Sequence, residues 1–304
     1  MISLEQLIGA EHIYRKMYAS TDIAGLCKAA KVKSYNMGAD GFGAERLLKC
    51  LLLQFVEDLS DRNMERFMNE NIAAKWFCGF TLSEKTPTFS SFCKFRNSVG
   101  VKRIEAMFTK MKEQLAAKNL TLGMFTFIDA TSLISKMNLW EERDLAVSAG
   151  YEKLNNEVLP KIKNSEERIG AKTSKKFWYG FKKSVAVDMN SGMIMDVAVT
   201  MANVTDAEAG KLVLPKTGAV CADKGYVGLI PLVKEKGLHP MILKRNNMKD
   251  KNADLDKYIS KLRAPYENTF ARQRKKVRFK TILKNQLAEF LYAISFNMKR
   301  LTVI

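Results

Sequence analysis

Apolar residues recur at helical spacing through Leu47, Leu48, Leu51, Leu52, Phe55 and Val56, which predicts a helix with a wide buried face. The period continues from Asp61 to Phe77 through Met64, Phe67, Met68 and Ile72. Thr86-Pro87-Thr88 is a helix-start signal ahead of Phe89 to Arg96. A further helix is expected from Val101 to Lys118, with Ile104, Met107, Phe108, Met111 and Leu115 on one face. Residues 1–122 therefore read as a helical domain.

The pattern changes at Leu120. Phe125 to Ile128 is strand-like, and a polar stretch from Lys136 to Lys176 follows. Phe177 to Asp188 and Met193 to Thr200 read as two strands joined by an Asn190-Ser191-Gly192 turn. A short helix is expected over 206–212, capped by Thr205 or Asp206. A strand at Val220–Ala222, a helix over 230–236, a strand over 240–243 and a helical tail from Pro265 complete the pattern. Hairpin, helix, strand, helix, strand, helix suits a mixed α/β sheet flanked by helices, of ribonuclease H-like order, over residues 123–304.

Composition narrows the partners. The net charge of +18 in 304 residues favours a polyanion, because each neutralised phosphate releases counterions. The most apolar stretch, Leu47 to Val56, is broken by Lys49 and Gln54 and is far short of the roughly 20 residues a bilayer needs. With Glu5, Glu11 and His12 near the start, no secretory signal is evident, and a soluble cytoplasmic protein is expected. The five scattered cysteines and two histidines offer no zinc-binding spacing, and the cysteines read as reduced, buried thiols.

Three carboxylates carry the candidate chemistry. Asp129 ends the apolar run Met124–Ile128, and Asp223 follows Ala219–Ala222 and precedes Lys224-Gly225-Tyr226. A strand fixes the backbone of such a residue while its carboxylate emerges at the sheet end. Taken alone, Asp129 also suits a turn cap through Thr131 or Ser132. Glu267 follows Ala264-Pro265-Tyr266 at about the third position of the expected helix, where the helix dipole alone favours an acid. The next fourteen residues hold Arg272, Arg274, Lys275, Lys276, Arg278 and Lys280 and no acid. Helical spacing would align Arg274 with Glu267. In the helical domain, Ser90, Ser91, Lys94 and Arg96 suit either a DNA-reading helix or the polar face of an ordinary bundle.

Together these residues resemble the DDE transposases of bacterial insertion sequences, in the branch typified by insertion sequences four and five. The resemblance rests on Phe127-Ile128-Asp129-Ala130-Thr131, Tyr179-Gly180-Phe181-Lys182, Ala186-Val187-Asp188, Thr200-Met201-Ala202-Asn203 and Ala222-Asp223-Lys224-Gly225-Tyr226. In the signature Y-x2-R-x3-E-x6-K, Arg263 and Glu267 keep their separation, Ser260 replaces the tyrosine and Arg274 the lysine. Ser184 and Thr205 stand where the branch commonly has histidine.

The resemblance implies that Asp129, Asp223 and Glu267 hold two Mg²⁺ ions, with Mn²⁺ as a substitute and Asp129 as the bridging ligand. Arg263, Arg274, Lys224, Lys275 and Lys276 would hold phosphates, with Lys182 and Lys183 extending that surface and Lys94 and Arg96 reaching DNA from the helical domain. It further implies double-stranded DNA partners (terminal inverted repeats and target), a homodimer in the synaptic complex and no membrane. A non-catalytic DNA-binding protein derived from a decayed transposase, and a ribonuclease H-like nuclease, are the competing readings.

Overall fold

The computed structural model describes residues 4–32, 41–135, 150–161, 166–173, 176–248, 251–271 and 275–304, with the side chains of 173, 176 and 267–271 outside the described set. The chain divides into two units, Met1–Lys118 with Phe290–Ile304, and Asn119–Glu289.

The first unit is built from helices α1 (Leu4–Leu7), α2 (Ile13–Ser20), α3 (Ile23–Ala29), α4 (Ala44–Val56), α5 (Asp61–Glu70), α6 (Ile72–Cys78), α7 (Phe89–Val99) and α8 (Val101–Ala117). Leu48, Leu51, Leu52, Met64, Met68, Phe77, Phe92, Ile104, Phe108 and Met111 are all buried. Each such side chain contributes about 1.5–3 kcal/mol of transfer free energy. The expected continuous helix from Asp61 to Phe77 is instead two. Asn71 adopts an extended backbone and accepts from the Ala74 N–H at 2.9 Å, so it caps a new helix. Phe290–Ile304 belongs to this unit. Ser295 Oγ donates to the Leu52 carbonyl and Lys299 Nζ to that of Val56, the last residue of α4, where a cation also meets the negative end of the helix dipole.

The second unit is a six-stranded mixed sheet: β1 (Phe125–Ile134), β2 (Arg168–Thr173), β3 (Lys176–Asp188), β4 (Ile194–Met201), β5 (Ala219–Ala222) and β6 (His239–Ile242). Its order is β2-β3-β1-β5-β6, and β4 also pairs with β3. β3 runs antiparallel to β1, β2 and β4, whereas β5 is parallel to both β1 and β6. β5 is buried along its whole length, which explains its unbroken apolar run Ala-Val-Cys-Ala. Gly218 enters β5 at φ +88°, and a Cβ there would lie 2.1 Å from the Gly123 carbonyl, so only glycine lets β5 close on β1. In the β3–β4 turn, Asp188 Oδ2 accepts from the N–H groups of Asn190 and Ser191 and from Ser191 Oγ.

Between the strands lie α9 (Asp206–Gly210) and α10 (Ile230–Glu235); α11 (Ala253–Ala271) follows β6, and α12 (Ile282–Leu301) crosses the division between the units. Thr205 caps α9, accepting from the Glu208 N–H. Ile128, Ala186, Val220, Ala222, Tyr226, Leu229 and Val233 form the core beneath the sheet.

Two expectations change. The stretch expected to be polar holds β2, fastened when Asn155 accepts from the Ile169 N–H at 2.9 Å and donates to its carbonyl at 2.8 Å. Only Leu159 and Ile169 are buried in that cluster, too few for a periodic signal. The helix carrying Glu267 starts at Ala253 instead of Pro265, leaving Pro265 inside it. Tyr266 Oη donates to the Met189 carbonyl and its ring approaches Phe127, contacts that secure α11 despite the backbone bond Pro265 cannot make.

Candidate active site

The register of β1 and β5 sets the site. Phe127 pairs with Cys221 across the parallel ladder, so Asp129 and Asp223, each two residues further on, fall at the same level where β5 ends against the middle of β1. Asp129 lies within β1, which runs on to Ile134, while β5 ends at Ala222 and releases Asp223 into a turn. Asp129 Oδ1 accepts from the Ala130 N–H, and Asp223 Oδ1 from the Gly225 N–H, both at 2.8 Å.

Both aspartates line a cavity of about 520 Å³ with Thr131, Ser132, Lys172, Trp178, Lys182, Asp206, Arg263 and Lys275. Burial pushes the Asp129 carboxyl up to about 6, against the Ala130 N–H, and the charges of Asp223 and Asp206 add to the rise while Arg263 opposes it. Arg263 is itself buried on α11, its guanidinium 5.1 Å from the centre of the Phe127 ring. The wall is extended where Ile134 donates to the Lys275 carbonyl and Val277 to that of Ile134, which presents the exposed Lys275 beside the end of β1.

The expected cations separate into groups. Arg263, Lys182 and Lys275 line the cavity. Lys224 and Lys276 are exposed outside its lining. Lys183 is fully buried and pairs with Glu289 at 3.1 Å, so it offers nothing to a phosphate. Arg96 is also buried and forms a two-pronged ion pair with Asp61 at 2.9 and 2.7 Å, whereas Lys94 on the same helix is exposed. The backbone of Glu267 sits on α11, but its side chain lies outside the described set, and Arg274 lies outside the described residues.

Asp206 and Lys172 were not anticipated as site residues. Asp206 reads in sequence as a helix-start acid. The missed signal is its position three residues after Asn203 in the Thr-x-Ala-Asn element.

Among the described residues, no three His, Cys, Asp or Glu side chains form a ready-made metal cage. Mg²⁺ needs none, since it keeps several waters and takes only one or two protein carboxylates. Two carboxylates facing a roomy polar cavity, one with its charge disfavoured first by burial and then by neighbouring acids, suit a hydrated divalent cation.

The cavity thus brings two aspartates from adjacent strands together with a buried arginine and exposed lysines. The transposase DDE domain model matches residues 127–299, more than half of the chain, and the chain belongs to that family. A second model, described as a transposase domain, matches residues 2–98. Among solved structures, a piggyBac transposase synaptic complex with hairpin DNA is similar at 12% identity and a TM-score of 0.31, over 79% of this chain and 52% of that one. The chain thus spans about half the length of that transposase chain. No curated protein matches significantly.

Proposed function

We propose that this protein is a DNA transposase that cleaves at the ends of an insertion sequence and joins the 3′ ends to target DNA. The observation that carries the proposal is the parallel β1/β5 register, which sets Asp129 and Asp223 side by side within the DDE family match. The antiparallel β1, β3 and β4, followed by β5 and β6 parallel to β1, support a ribonuclease H-like unit. The motif set supports the branch typified by insertion sequences four and five.

In this reading Asp129, Asp223 and Glu267 hold Mg²⁺, for which Mn²⁺ can substitute. When bound, the metal supplies charge neutralisation at the scissile phosphate and acidifies the attacking water or 3′-hydroxyl. Asp129 and Asp223 hold negative charge at one end of the cavity. Arg263, kept rigid over Phe127, presents a fixed cation to a phosphate oxygen. Lys275 and Lys172 line the same opening and bind flanking phosphates, the exposed Lys224 and Lys276 extend that contact, and the family signature assigns Arg274 to the phosphates next to the scissile bond. Such contacts position the duplex, and base contacts from the N-terminal helices would select the inverted repeats. Joining two ends requires two active sites, so a homodimer in the synaptic complex belongs to the proposal.

The test is strand nicking of inverted-repeat DNA by the purified chain with and without Mg²⁺. Cleavage should require the ion and vanish in Asp129→Asn while DNA binding persists. Binding without cleavage by the unmodified chain would leave a DNA-binding protein, and cleavage confined to RNA–DNA hybrids would leave a nuclease.

A further inference from the structure

Asp206 lies on the first turn of α9, far in sequence from Asp129 and Asp223, yet it shares their cavity. Its Oδ1 is committed to Lys182, whose Nζ stands 2.6 Å away and also donates to the Val204 carbonyl at 2.6 Å. Lys182 is buried, with Trp178 beside it, so this ammonium is a fixed part of the site. The other oxygen points elsewhere. A Cβ built on Gly225 would lie 3.0 Å from Asp206 Oδ2 and 3.0 Å from Asp223 Oδ1, so those two oxygens are no more than about 6 Å apart. Gly225 keeps the space between them open.

Tyr226 is an independent sign that something polar belongs there. Its side chain is 1% exposed, and its hydroxyl makes no hydrogen bond among the described residues. An unmade bond at a buried phenol costs about 1–3 kcal/mol. Burial raises the pKa of this phenol well above its ordinary value, and Asp129, Asp206 and Asp223 raise it further, so it lies within reach of all three charges. A buried hydroxyl with no partner among the described residues can donate to a water shared with these carboxylates.

We propose that Asp206 is a further acidic residue of the cation site, sharing through Oδ2 the divalent cation or its bound water with Asp223, while Lys182 acts as the resident counter-charge. This rests on the cation-dependent reading above. The Lys182 ammonium compensates Asp206 before the ion enters and competes with it for the same carboxylate. A purely structural Lys182–Asp206 pair would make no such link to cation affinity.

The test is Mn²⁺ binding to the full chain, followed by the loss of the free-ion electron paramagnetic resonance signal, with thermal melting as a check on folding. Asp223→Asn should remove most binding, and Asp206→Asn should weaken it about tenfold. Lys182→Met should tighten it several-fold. Asp206→Asn binding as well as the unmodified chain, while Asp223→Asn does not, overturns the role of Asp206 and leaves the transposase reading intact. No Mn²⁺ binding by the unmodified chain overturns the metal-dependent reading itself, and this proposal with it. If Asp206→Asn lowers the melting temperature sharply, Lys182→Met decides: tighter binding supports the proposal, and equal or weaker binding overturns it.

Discussion

Asp129 is held in its ionised form at a cost. Its folded pKa of about 6 lies above the 3.8 of an unperturbed aspartate, so the native state binds its proton more tightly than the unfolded chain does. Below about pH 4 both states are protonated and no penalty exists; stability is then lost as pH rises towards 6 and stays lower above it. Replacing Asp129 by Asn should therefore stabilise the cation-free protein by about 1–3 kcal/mol at pH 8 and by nothing at pH 3.5. Urea denaturation at the two pH values, with chelator present, checks this; a gain of equal size at both would refute the burial argument. A second residue-scale expectation concerns Gly225→Ala. Its methyl would press on Asp206 and Asp223 together, so cation-dependent nicking should fall steeply while far-ultraviolet circular dichroism stays unchanged.

At the scale of elements, β3 carries adjacent lysines with opposite fates. Successive residues of a strand face opposite sides, so Lys182 reaches the cavity while Lys183 turns into the interior against Glu289. Lys183→Met leaves Glu289 buried without its partner and should cost about 3–5 kcal/mol. Adding Glu289→Met should recover most of that loss, measured as paired unfolding midpoints. On α7 the comparable split is between Lys94 and Arg96. Lys94→Ala should lower DNA affinity and reduce the salt slope by about one, because it removes at most one phosphate contact. Arg96→Ala should instead destabilise the fold by removing the charged partner of Asp61. The strand alternation at 182 and 183 is visible in sequence, but which face is covered is not. The same limit explains Arg96, whose partner lies 35 residues away.

For the whole molecule, the charge of +18 makes DNA binding strongly electrostatic. If six or more phosphates are engaged, affinity for duplex DNA should drop by about a thousandfold or more between 50 and 200 mM salt, as fluorescence anisotropy would read. A change under tenfold would mean that the charge is spread away from any DNA-binding face. The charge, the succession from helices to strands, the hairpin at Asn190 and the cap at Thr205 all follow from local composition and period, and these were determined by the chain alone. So was the placing of Asp129 and Asp223 directly after apolar runs, although only Asp223 lies at a strand end, since β1 continues past Asp129 to Ile134. Their meeting was decided by tertiary structure, through the pairing of Phe127 with Cys221 across 94 positions. Tertiary structure alone also brought Asp206 and Lys172 to the cavity, buried Lys183 and Arg96, and joined Phe290–Ile304 to the helical unit. The physical reason is range: propensity and period act within a few residues, whereas burial and ion pairing depend on neighbours that only the folded chain supplies.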